Sequence, residues 1–263
     1  MTDSPPGLTA LLWGTVLLRP YVVVFLTAFL VASIRDLGLP RTLGFLGWGF
    51  AVAFVAEYAS TRVGIPFGLY HYTGDTAAVE LFLANVPLFD AMSFPFLAYS
   101  SFCLARVAVG PERRLRLALL SGLLMMLLDV VIDPIAIRGD RWFLGRIFYY
   151  DAGGVYFGVP LSNFAGWLLV GCLIVGGYLL VTARAADGHG RAGPWPGVGL
   201  YYGMLLFNFA ITWWIGEVGL LLAGILVHVG AFLLLYGAGA RLTPSLPEVP
   251  SPRGRPAREV DRT

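Results

Sequence analysis

The side chains best suited to chemistry are carboxylates and amides set in or beside stretches that are otherwise membrane-apolar. They are Glu57, Asp90, Asp129, Asp133, Asp151, Asn163, Asn208 and Glu217. A carboxylate in hydrocarbon costs several kcal/mol unless it is paired, hydrated or protonated, so each marks a functional-site hypothesis. Asp129 and Asp133 are four residues apart and share one face of a helix. Two anions that close in a low dielectric repel, so the pair is expected to hold a proton and to serve as a proton donor. Glu57 and Asp90 are further candidates for acid–base work. Each of these groups also has a plain structural reading. Glu57 can pair with Arg62, Asp90 can sit as a favourable acid in a helix's first turn, and Arg138 or Arg141 can neutralise the aspartate pair.

Aromatic residues crowd the connections next to these acids. Tyr70 and Tyr72 follow Glu57, while Trp142, Tyr149, Tyr150 and Tyr156 follow Asp133. Asp151 precedes the turn pair Gly153-Gly154, Asn163 opens the next apolar run, and Trp167 lies four residues further on. Interfacial belts also concentrate tyrosine and tryptophan. That explanation suits any single ring better than the whole set. The expectation is one pocket near a membrane interface, lined by carboxylates and aromatic faces.

Composition fixes the surroundings of such a pocket. The chain is 57% hydrophobic and 13% charged, where a soluble domain carries about 25% charge. This is the composition of an integral membrane protein, all-α and polytopic, with about seven transmembrane helices (six to eight). There is no lysine, so a retinal Schiff base is excluded. Three scattered histidines do not suit a histidine-rich di-iron site, and Cys103 and Cys172 sit singly in apolar runs. No metal or redox cofactor is expected, and nothing suggests nucleic-acid binding. A cleaved signal peptide is not expected either, because the first apolar run is broken by Arg19-Pro20.

The apolar runs are about 16–34, 43–59, 86–109, 115–137, 161–183, 198–215 and 218–238. The stretch 142–160 is aromatic and glycine-rich, and is a candidate interfacial or re-entrant segment. Residues 1–241 read as one membrane domain, and 242–263 as a disordered Pro/Arg-rich tail. Counting arginines in alternate connections places the richer set, including the tail, in the cytoplasm and the N-terminus outside. Because alternate spans reverse direction, Glu57, Asp90, Asp129, Asp133, Asn163 and Glu217 all fall toward the same face. Asn208 is expected nearer mid-membrane.

At four of these stretches the chain resembles membrane carotenoid-biosynthesis proteins of the carotenoid 1′,2′-hydratase and bisanhydrobacterioruberin hydratase type. The segments are GIPFGLYHYT (64–73), PLFDAMSFPFLAYS (87–100), LLDVVIDPIAIR (127–138) and DAGGVYFGVPLSNFAGW (151–167). Together they make the resemblance span roughly residues 45–215. It implies a multi-pass plasma (inner) membrane enzyme that adds water to the terminal double bond of a ψ-end carotenoid without a cofactor. Water and membrane lipid are then its other partners, along with possible contacts to enzymes of the same pathway. Under that reading Asp129, Asp133, Glu57 and Asp90 form the catalytic set. Tyr70, Tyr72, Trp142, Tyr149, Tyr150, Asp151, Tyr156, Asn163 and Trp167 form the substrate-binding set. Carotenoid cyclisation shares the first protonation step. A prenyltransferase would need a second paired-aspartate helix, which is not found. A transporter or pigment-binding scaffold is the alternative outside enzymes, although the two halves show no internal repeat.

Overall fold

The computed structural model describes residues 6–111, 113–182 and 192–237. Within them the chain is a bundle of eight helices: α1 Leu8–Leu18, α2 Pro20–Leu37, α3 Leu39–Val63, α4 Leu88–Val109, α5 Arg114–Ala136, α6 Leu161–Val181, α7 Trp195–Trp214 and α8 Val218–Gly237. Six of these, α2–α6 and α8, are long and apolar enough to cross a membrane. The protein is therefore a polytopic membrane helical bundle. The sixth expected run, at about 198–215, is also a full helix, α7, but proline, tyrosine, tryptophan and asparagine dilute its apolar character.

The run expected at 16–34 is two elements rather than one. α1 stops at Leu18, Arg19 leaves helical geometry (φ −127°, ψ 59°), and Pro20 occupies the first turn of α2. Proline is tolerated there because the first-turn N–H groups have no helical acceptor. The ends of α3 follow the same local logic. Pro40 lies in its first turn, and Gly64 ends it in the left-handed region at φ 74°, a conformation glycine adopts without a Cβ clash.

Most of α4 is buried, and it packs against α2, α3, α5, α6 and α7. The closest helix pair is α5 with α6. A Cβ added at Gly122 would fall 2.5 Å from both Cys172 Sγ and the Leu168 carbonyl oxygen. Small residues let membrane helices approach this closely, and the packing energy comes from that approach. The seam fixes the register of α6 against α5. The most peripheral span is α8, where Leu220 and Gly224 are buried while Leu222, Leu226, Leu233 and Leu234 face outward.

One end of the bundle is covered by two long connections. Strand β1 (His71–Tyr72) pairs antiparallel with β4 (Phe148–Tyr149), and β2 (Phe82–Leu83) pairs with β3 (Val86–Pro87). Thr73 extends the first pairing, its N–H donating to the Ile147 carbonyl at 2.9 Å and its hydroxyl to the Arg146 carbonyl at 2.8 Å. The stretch 142–160 is thus part of this cap, with a 3-10 turn at Gly139–Arg141 before it, and not a re-entrant helix. The tail expected at 242–263 lies outside the described residues.

Candidate active site

The capped end collects the C-terminal ends of α3, α5 and α7, the N-terminal ends of α4 and α6, and the α1–α2 break. Glu57 lies in the last two turns of α3, Asp90 in the first turn of α4, Asp133 in the last turn of α5, and Asn163 in the first turn of α6. The expected common depth is therefore real. These elements surround a cavity of about 140 Å³, bordered by Glu57, Asp90, Asp133, Asn163 and Asn208.

Asp129 and Asp133 are joined through α6. The Asn163 Nδ2 donates to Oδ2 of both aspartates, at 2.7 Å each. Asp129 is wholly buried behind Asp133, and only Asp133 borders the cavity. Trp167, one turn along α6, reaches Asp133 with its indole N–H, and Tyr150 reaches it from the cap. Neither Arg138 nor Arg141 neutralises the pair. Arg138 donates to the Pro134 and Phe157 carbonyls, and both arginines pair with Glu217. Glu217 thus belongs to a cap contact outside the cavity.

Glu57 is buried and has the Tyr72 hydroxyl beside it. Its expected structural partner, Arg62, is elsewhere, stacked on the Tyr58 ring at 3.4 Å and donating to Asn85 Oδ1 at 2.7 Å. Asp90 accepts from Arg19 Nη1, and Arg19 Nη2 donates to Glu80 Oε1 at 2.8 Å. The cavity region thus holds the carboxyl groups of Glu57, Glu80, Asp90, Asp129 and Asp133 around one buried cation. Five anions against one cation cannot all be ionised in a low dielectric, so the cluster is built to hold protons.

The remaining walls are aromatic. Phe94 stacks on Trp167 with ring centres 4.4 Å apart, and Phe67 lies 5.9 Å from Trp167. Tyr70 makes edge contacts with Tyr72, Phe148 and Tyr150. Across the cavity, Tyr21 stacks on Phe207 at 5.4 Å and leans on Trp142. The cap tyrosines are protonated donors. Burial first, then the neighbouring Glu57 carboxylate, holds the Tyr70 and Tyr72 hydroxyls well above the usual phenol range. Burial and Asp133 do the same for Tyr150.

Of the expected site residues, Glu57, Asp90, Asp133, Tyr70, Tyr72, Trp142, Tyr150, Asn163 and Trp167 border the cavity, and Asp129 stands directly behind it. The other three are elsewhere. Tyr149 alternates to the outer face of β4 and packs on His71. Asp151 is exposed and pairs with His71 at 3.1 Å. Tyr156 packs on Phe157 and Phe164 in a satellite cluster beside α7 and α8. Sequence reasoning missed Arg19, Glu80, Tyr21 and Phe207. Arg19 had a signal, a lone cation inside an apolar run, but it read only as a break.

Residues 17–231 match the family model described as "Carotenoid biosynthesis protein". The chain belongs to the carotenoid biosynthesis protein family. That match takes in every cavity-lining residue and leaves out most of α1. Among curated proteins, bisanhydrobacterioruberin hydratase of Haloarcula japonica is 31% identical over 164 residues, which cover 60% of this chain and 53% of that protein. The chain thus spans about half the length of the curated relative it matches. No solved structure matches this carotenoid biosynthesis protein.

Proposed function

We propose that this protein is a carotenoid 1′,2′-hydratase, a hydro-lyase working in the addition direction on the terminal double bond of a ψ-end carotenoid. The observation that carries the reading is the juxtaposition at the cavity of a cation-free aspartate pair, two further carboxyl groups and aromatic walls. The family and the hydratase relative agree with it.

Hydration of a trisubstituted alkene needs an acid, a shelter for a tertiary cation, and a positioned water. Asp133 is the acid at the cavity wall. Asp129, held to it through Asn163, is the second member that lets the pair keep one proton. Protonation of C2′ leaves positive charge at C1′, facing the π-systems of Trp167, Tyr70 and Tyr150. Glu57 and Asp90, with the Tyr72 hydroxyl between them, orient and deprotonate the water. One proton leaves Asp133 and one is taken up from the water adduct, so the net reaction consumes only water.

Cavity size sets what is bound inside. A void of about 150 Å³ takes up one benzene, so about 140 Å³ admits an end group and not a polyene. The rest of the substrate extends among apolar side chains and lipid. The same reading places the protein in the plasma membrane with its C-terminal tail in the cytoplasm, available to other enzymes of the pathway.

Expression in a bacterium that accumulates lycopene or γ-carotene tests this directly. The expected product is a more polar pigment heavier by one water, seen by chromatography and mass spectrometry. A less polar isomer of unchanged mass would establish cyclisation instead. An unchanged pigment profile with lycopene, γ-carotene and an acyclic C50 carotenoid would sink the hydratase reading.

A further inference from the structure

We propose that Arg19 is a positioning residue that holds the Asp90 carboxylate as the fixed anion of the site, so that Asp90 receives the proton of the captured water. This rests on the hydratase reading above and divides its two proton-transfer roles between two places.

Arg19 is 1% exposed, and much of the surrounding backbone is arranged to receive it. Both terminal nitrogens of its guanidinium are taken, one by Asp90 and one by Glu80. Glu80 comes from the α3–α4 connection, which is locked onto α1. The Leu81 N–H donates to Thr15 Oγ1 at 2.8 Å. A Cβ at Gly14 would fall 1.9 Å from the Val79 carbonyl oxygen, so only glycine admits that backbone. Thr76 donates to Glu80 from the same connection. Isolated burial of a guanidinium costs several kcal/mol, and an apolar residue would fill the space more cheaply. What distinguishes this pair from a structural one is that its second carboxylate, Asp90, borders the cavity.

The two carboxylates are not equivalent. The Glu80 side chain is 0% exposed and does not border the cavity, whereas Asp90 does. Glu80 balances the cation, and the remaining negative charge of the trio is presented to the cavity on Asp90. The groups facing Asp90 are Arg19, Tyr21, Glu57, Tyr70, Tyr72, Glu80 and Asp133, and Arg19 is the one permanent cation among them. Among the described residues, no cation contacts the aspartate pair. The site thus separates a proton-bearing pair on α5 from an arginine-held anion on α4. No strong base is needed at this step. Water captured by a tertiary cation forms an oxonium far more acidic than any carboxylic acid. In balance, Asp133 gives H⁺ to C2′, water forms the C1′–O bond, and Asp90 takes the oxonium proton. That proton returns to Asp133 before the next turnover.

The division is testable in D₂O with the full-length protein in membranes and lycopene as probe. Without the anion, the cation still forms and collapses by returning a proton from C2′ to Asp133. Arg19→Met is therefore expected to lose about 100-fold or more of hydration while recovered lycopene gains deuterium at the end group. Arg19→Lys restores part of the hydration. Asp90→Asn, which leaves Arg19 paired with Glu80, reproduces exchange without hydration. Wild-type hydration in Arg19→Met, or loss of exchange together with hydration in both Arg19→Met and folded Asp90→Asn, overturns the proposal. Failure of the wild-type protein to hydrate lycopene, γ-carotene or a C50 carotenoid counts against the hydratase reading itself and is read separately.

Discussion

Both ends of this bundle bury charge, and they do so in opposite ways. At the end away from the cap, Asp36 of α2 meets Arg106 of α4. Asp36 Oδ2 accepts from Arg106 Nη1 at 2.5 Å and from the Tyr99 hydroxyl at 3.2 Å, and Oδ1 accepts from Nη2 at 3.3 Å. One anion meets one cation, both oxygens have donors, and neither residue borders the cavity at the capped end. At the capped end, five carboxyl groups stand against a single arginine, Arg19, that pairs only with Glu80 and Asp90, and among the described residues Glu57 Oε2 and Asp129 Oδ1 have no hydrogen-bond partner. The lesson is that a buried charge in a membrane helix does not by itself mark a site. An imbalance of charge beside a void does, because unsatisfied oxygens are available to a reactant.

The sharpest way to break this comparison is at the aspartate pair. Asp129→Asn with Asp133→Asn is expected to cost about 10²–10⁴-fold in hydration rate, with the protein still folded by circular dichroism in detergent. Retained activity would remove the acid assignment. The opposite end should respond in stability and not in chemistry. Asp36→Asn leaves a buried guanidinium without its counter-charge and is expected to lose about 3–5 kcal/mol, read as a lower thermal midpoint. Asp36→Leu with Arg106→Leu should recover most of that loss, and product formed per folded molecule should stay at the wild-type level. A fall in turnover per folded molecule would show that the two ends are coupled.

A smaller effect belongs to the seam between them. Gly122→Ala drives a methyl group into the Leu168 carbonyl oxygen and Cys172 Sγ and should cost about 1–3 kcal/mol. Because the seam sets how Asn163 meets the aspartates, turnover per folded molecule should fall as well, unlike the Asp36 variants. The smallest effect is expected at His71→Ala. Its pair with Asp151 is largely exposed, so its loss should change stability by about 0–1 kcal/mol and leave turnover unchanged.

Much of this was legible in the sequence because a membrane simplifies the reading. Reversal of direction along α3–α6 was enough to bring Glu57, Asp90, Asp133 and Asn163 to one depth. The i, i+4 spacing put Asp129 and Asp133 on one face. What failed was local. Tyr149 and Tyr150 are adjacent, yet a strand turns successive side chains to opposite faces, so Tyr150 enters the cavity and Tyr149 leaves it. A two-residue strand gives no periodic pattern by which to see this. Asp151 and Tyr156 follow in irregular backbone, whose path depends on contacts with β1 and α8. Arg19 was misjudged for a different reason. Its partners Glu80 and Asp90 lie 61 and 71 residues further along the chain, and hydropathy windows do not look that far.

That separation also orders the birth of the protein. Chain elongation runs at about 5–20 residues per second, so Asp90 follows Arg19 out of the ribosome by roughly 4–14 s. For most of that interval, until Glu80 is made, neither carboxylate partner of the Arg19 guanidinium exists. The first two helices cannot settle in their final place until the connection after α3 and the head of α4 arrive. The two N-terminal helices are thus latecomers to their own bundle, fixed in place only by the residues that complete the site.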